Sequence, residues 1–175
     1  MAAEAYDEQA MTGRGRALGR VLAAAAASSP EFEATVLLRG PMGAGKTTFT
    51  RALAEGLAVL HPGRVTSPTF TLCAVHRGPV TLVHVDLFRL AGDVDGAADA
   101  GMGGEAGFAA LGDLEEDLQV AGPRVLVVEW SEKWRRPPDD HLVIDLGFTA
   151  DGDRRTLQAT AAGPRATAVL AAWLA

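Results

Sequence analysis

The chain has 175 residues, 48% of them apolar and 22% charged, with a net charge of −6. This is the composition of a globular protein with enough chain for one buried core, so a single domain spanning 1–175 is expected. The acidic balance argues against a basic face for direct nucleic-acid binding, no apolar run is long enough to cross a bilayer, and the single cysteine, Cys73, fits a reducing, cytoplasmic compartment.

In chain order, an alanine-rich amphipathic helix is expected from about Asp7 to Ala27, with Leu18, Val21 and Leu22 turned inward. Its apolar stretch followed by Ser28-Ser29 is a poor export signal, because it is mostly alanine and Glu4, Asp7 and Glu8 precede it. Ser29-Pro30 breaks the helix, and a strand follows at Ala34 to Arg39. Residues Gly40 to Thr47 then read Gly-Pro-Met-Gly-Ala-Gly-Lys-Thr, a full match to the phosphate-binding loop G-x-x-x-x-G-K-[ST]. The chain holds only two lysines, Lys46 and Lys133, and one stands where this motif requires it. A chance match in a chain of this composition is expected at roughly a few in a thousand.

A helix from Thr48 to about Ala58 completes the strand, loop and helix that the motif needs. Val65 to Val75 reads as extended with an interruption at Ser67-Pro68. Arg77-Gly78-Pro79 reads as a turn, and Val80 to Asp86 as a strand. Ala91 to Ala110, rich in Gly, Ala and Asp, reads as a flexible surface segment, and Leu111 to Val120 as a short acidic helix. Arg124 to Val128 is a continuous apolar run, as a buried parallel strand should be, and it ends in Glu129-Trp130. Strands at His141 to Leu146 and Arg155 to Thr160, then a helix from Pro164, complete the pattern. Such alternation predicts a three-layer α/β domain of the P-loop NTPase type with a mainly parallel central sheet.

The residue types state the chemistry. Gly43, Ala44 and Gly45 let the backbone wrap a phosphate chain and aim N–H groups inward, and the following helix adds its positive end. Lys46 is expected to reach the β- and γ-phosphates, and the Thr47 hydroxyl to bind Mg²⁺. A carboxylate at a neighbouring strand end must hold the metal or orient water, and two stand in place: Asp86 and Glu129. His84 shares a strand face with Asp86, but two ligands do not make a transition-metal site, so it reads as a packed or hydrogen-bonding residue. A GTPase would need an Asn-Lys-x-Asp element, and the chain has no asparagine. Asp93-Val94-Asp95-Gly96 fits D-x-x-G only within the Gly- and Ala-rich segment and not at a strand end. A small-molecule kinase, with Arg135 and Arg136 in a lid, and an ATPase that drives a partner both remain open.

Further elements occur in a fixed order: Val65-Thr66-Ser67-Pro68-Thr69-Phe70, His84-Val85-Asp86-Leu87-Phe88-Arg89-Leu90, Leu111-Gly112 before Leu114-Glu115-Glu116, and Glu129-Trp130-Ser131-Glu132-Lys133. With the phosphate loop, these resemble the bacterial TsaE (YjeE) family from about Leu18 to Arg155. The resemblance implies a weak ATPase acting with TsaB and TsaD in threonylcarbamoyl modification of adenosine 37 in tRNAs that read codons starting with A. It implies ATP and Mg²⁺ as cofactors, the metal on Thr47 and Glu129, and Asp86 as a second essential acid. The sequence leaves open which acid binds metal and which orients water. It further implies Thr69 as a switch threonine near the γ-phosphate, and nucleotide contacts from Thr48, Trp130, Thr12 and Arg155. tRNA would be met only through the partners, in keeping with the acidic charge. The chain departs from the family's usual Gly-Asp-Leu-Gly at Gly40-Pro41-Met42-Gly43, and Phe88 replaces a usual tyrosine. Pro41 removes one backbone donor from the loop. The segment 91–110 is longer and poorer in leucine than the family's, which bears on any partner contact there.

Overall fold

The structure, a computed structural model, describes residues 4–90 and 121–175. The expectations for 91–110 and for Leu111 to Val120 fall outside those residues. Seven strands form one sheet: β1 (Glu4–Tyr6), β2 (Glu33–Arg39), β3 (Cys73–His76), β4 (Thr81–Asp86), β5 (Arg124–Glu129), β6 (His141–Phe148) and β7 (Arg155–Ala162). Their order is β1-β7-β6-β2-β5-β4-β3. The four central strands β6, β2, β5 and β4 run parallel, whereas β3, β7 and β1 join antiparallel at the edges. The fold is thus mixed α/β with a mainly parallel centre, as the alternation of elements predicted; the third layer it also predicted is not seen among the described residues.

Three helices are described: α1 (Glu8–Ala26), α2 (Lys46–Gly56) and α3 (Pro164–Leu174). All three pack on one face of the sheet, where Leu18, Leu22, Phe49, Leu53 and Trp173 meet Val36, Leu38, Leu82, Val125 and Val127. The opposite face carries a second cluster of Leu37, Val83, Val85, Leu126, Val128 and Val143. The last five residues of β5 are buried, which explains why its apolar run reads continuously; every residue of β4 is buried too, its polar Thr81, His84 and Asp86 included.

Local chemistry sets the boundaries. The Asp7 side chain accepts from the Ala10 N–H at 2.7 Å and caps α1, a contact worth about 1 kcal/mol. Against α2, α1 presents Gly19: a Cβ there would stand 2.2 Å from the Leu53 carbonyl oxygen, so the two helices cross in backbone contact.

The interruption expected within Val65 to Val75 at Ser67-Pro68 runs further along the segment. The Pro68 carbonyl accepts from the N–H groups of both Thr71 and Leu72, Leu72 turns to φ 63°, and only Cys73–His76 pairs with β4. Side-chain bonds tie Ser67 and Thr69 to Asp86 at the end of β4. The short β1 has a single strong strand former, Tyr6, and exists because the open edge of β7 pairs with it. Among the described residues, no helix is long and apolar enough to cross a membrane.

Candidate functional site

Strands β2, β4 and β5 end side by side, with Leu38 and Asp86 both opposite Glu129 in register. The chain leaves β2 at Arg39 and turns through Gly40, Gly43 and Gly45, all at positive φ (132°, 78° and 97°). A Cβ at Gly40 would lie 2.0 Å from the Leu146 carbonyl oxygen, so no other residue fits there. Gly45 is the N-cap of α2 and provides no side-chain cap, which leaves the helix's first N–H groups directed at the loop.

Lys46 is buried and folds back along the loop. Its Nζ donates to the carbonyls of Gly40 (2.6 Å) and Pro41 (3.0 Å) and lies 3.7 Å from the centre of the Trp130 ring. Burial pulls its pKa below the usual lysine value, against Glu129, Glu132 and Asp86, which raise it, and with Lys133, which lowers it. Trp130 occupies the left-handed region at φ 58°, a conformation that costs a non-glycine residue on the order of 1–3 kcal/mol. Ring contacts with Phe88 at 5.0 Å and the Lys46 and Lys133 ammonium groups hold it there.

The two acids have separate partners. Glu129, 2% exposed, accepts from the Thr47 hydroxyl at Oε2 (2.9 Å); Oε1 meets the Thr50 hydroxyl at 3.2 Å and His84 Nε2 at 2.8 Å. Asp86, also 2% exposed, accepts at Oδ2 from Ser67 and from Thr69 (2.7 Å), and at Oδ1 from the Phe88 N–H (2.8 Å). Glu129 is therefore tied to the loop and α2, and Asp86 to the Ser67 to Thr69 segment.

These residues line a cleft of about 380 Å³ that includes Gly43, Gly45, Lys46, Thr47, Thr48, Ser67, Thr69, Asp86, Phe88, Glu129 and Trp130. A second hollow of about 250 Å³ shares Gly43, Gly45 and Thr48 with it and adds Ala44, Tyr6, Glu8, Met11, Asp153 and Arg155. The two hollows adjoin through these shared residues and form one trough across the loop. Hard oxygens from Thr47 and Glu129 within 2.9 Å of each other suit a small divalent cation such as Mg²⁺. Among the described residues, no group of three His, Cys, Asp or Glu side chains converges as a metal site.

The structure thus gathers Gly43, Ala44, Gly45, Lys46, Thr47, Thr48, Thr69, Asp86, Glu129, Trp130 and Arg155 around the trough. Thr12 stands apart from it: its hydroxyl donates to the Glu8 and Gln9 carbonyls within α1. Arg135 and Arg136 are exposed and line neither hollow. Sequence reasoning did not single out Ser67, Tyr6, Glu8 or Met11. Ser67 was within reach, two positions before Thr69 and able to face the same acid. Tyr6 and Met11 carried no signal, since their place depends on β1 adding to β7.

The model of the family "Threonylcarbamoyl adenosine biosynthesis protein TsaE" matches residues 6–157. A protein of Treponema pallidum named tRNA threonylcarbamoyladenosine biosynthesis protein TsaE is 37% identical over 141 residues, covering 80% of this chain and 86% of that one. Its namesake in Streptomyces coelicolor is 40% identical over 139 residues, covering 74% and 81%. The crystal structure of Bacillus subtilis YdiB superposes with a TM-score of 0.63 over 99% of this chain and 97% of that one. At 23% identity that likeness speaks for the fold alone.

Proposed function

The chain belongs to the TsaE family, whose role is in threonylcarbamoyladenosine biosynthesis on tRNA, and from that premise we propose that it is an ATP-binding, weakly ATP-hydrolysing accessory protein acting with TsaB and TsaD. The observation that carries this reading is the Thr47 hydroxyl 2.9 Å from Glu129 Oε2 at the start of α2, with Asp86 in the adjacent register position. Loop, metal-binding hydroxyl and strand-end acids stand together as triphosphate chemistry requires.

In this reading the loop N–H groups and the positive end of α2 bind the phosphate chain, and Lys46 swings from the Gly40 and Pro41 carbonyls to the β- and γ-phosphates. Thr47 and Glu129 hold Mg²⁺, which when bound neutralises charge on the phosphates. Asp86 is the second acid. Caged by Ser67, Thr69 and the Phe88 N–H, it holds the Ser67 to Thr69 segment over the cleft and places the Thr69 hydroxyl near the γ-phosphate. Arg155 and Tyr6 flank the base end of the trough. We place this activity in the cytoplasm, with TsaB and TsaD meeting the tRNA.

Turnover of ATP by the purified chain, alone and with TsaB and TsaD, tests the reading. Negligible hydrolysis alone and clear stimulation by the pair are expected. Rapid phosphorylation of a small metabolite with no partner present would replace this reading with that of a kinase.

A further inference from the structure

His84 lies two residues before Asp86 on β4 and is wholly buried, 0% exposed. Its Nε2 stands 2.8 Å from Glu129 Oε1, the carboxylate oxygen turned away from Thr47. Its other ring nitrogen, Nδ1, is buried with no hydrogen-bond partner. An orphaned buried N–H costs more than an orphaned lone pair, so the proton belongs on Nε2, facing the carboxylate. The neighbouring imidazole on this face is that of His76 on β3, its ring centre 6.4 Å away.

Glu129 has one other contact at Oε1, the Thr50 hydroxyl at 3.2 Å. That hydroxyl has a single hydrogen, and the Lys46 carbonyl competes for it at 3.0 Å. The terminal torsion of a glutamate is broad, so a carboxylate held at Oε1 by a shared donor alone, with the Thr47 hydroxyl at Oε2, turns more readily. His84 is the undivided donor at Oε1. We propose that His84 is a positioning residue: its Nε2–H locks the Glu129 carboxylate so that Oε2 stays beside the Thr47 hydroxyl, where the metal binds. This role rests on the Mg²⁺-dependent ATPase reading. Loss of a partner that orients a metal's ligand typically costs about 10–100-fold in metal affinity or activity.

The test uses two amide variants of the intact chain. In His84→Gln the amide nitrogen falls near the place of Nε2, within reach of Glu129; in His84→Asn it falls near the place of Nδ1, out of reach. Calorimetric titration with ATP, with and without Mg²⁺, reads the gain in affinity that the metal gives. His84→Gln is expected to keep that gain to within about twofold and His84→Asn to lose about tenfold of it, with Mg²⁺-free affinity unchanged in both. The proposal is overturned if His84→Asn keeps the full gain, or if both variants lose it equally, which would make His84 a packing residue. A wild-type chain that binds ATP with no regard to Mg²⁺ overturns the metal-dependent reading itself, and the role of His84 with it.

Discussion

The Lys46 ammonium lies 3.7 Å from the centre of the Trp130 ring while donating to the carbonyls of Gly40 and Pro41. The lysine proposed to bind phosphate is thus held by its own loop and by the residue after Glu129. A triphosphate must draw it off both, which makes Trp130 a reporter of binding.

Of the three tryptophans, Trp130 alone lines the cleft, and Trp173 is committed to the core, where its Nε1 donates to the Arg14 carbonyl. Titration with ATP is expected to change tryptophan emission. Trp130→Phe should lose most of that change and Trp173→Phe should keep it. The reverse pattern would place the nucleotide elsewhere.

Lys46 also makes binding sensitive to alkali. Burial lowers its pKa from the ordinary 10.5, so between the lowered value and 10.5 the unfolded chain holds more protons than the folded one. The sign follows: this group adds stability to the empty protein as pH rises through that window, and withdraws it below. ATP affinity moves the opposite way, because only the charged lysine binds phosphate. Calorimetry from neutral pH upward should show affinity falling before an ordinary lysine would lose its proton. A flat profile up to 10.5 would contradict the buried environment.

Asp86 accepts from Ser67, Thr69 and the Phe88 N–H, and hydrogen bonds to a charged group contribute about 1.5–3 kcal/mol each. Asp86→Ala removes all three acceptor contacts. Amide exchange in Ser67 to Leu72 is expected to speed up by about tenfold or more, with the α1–α2 core unchanged. Unaltered exchange in that segment would mean that Asp86 does not hold it.

At the α1–α2 crossing, a Cβ on Gly19 would stand 2.2 Å from the Leu53 carbonyl oxygen and 2.8 Å from Gly56 Cα. Both neighbours are backbone and cannot swing aside. Gly19→Val is expected to cost about 3 kcal/mol, a fall in melting temperature of roughly 6–12 °C for a chain of this size. Thermal unfolding followed by circular dichroism measures it.

How much the sequence disclosed depended on whether a feature is local. The loop at Gly40 to Thr47 is one continuous motif and was fully legible, and the acids at Asp86 and Glu129 follow from apolar strands that end in a carboxylate. The bend at Leu72 was hidden, because the segment's shape comes from bonds to Asp86 on another strand and not from its own propensity. Tyr6 and Glu8 reach the trough only once β1 has paired with β7. Thr12 shows the converse: a hydroxyl close to the trough in sequence is spent on the carbonyls of its own helix.

The central claim is that the loop binds ATP through Lys46, and calorimetric titration of ATP with Mg²⁺ into the wild-type and Lys46→Ala chains measures it most directly. Saturable binding by the wild type and none by the variant is the predicted result. Equal affinity in the two chains would contradict it.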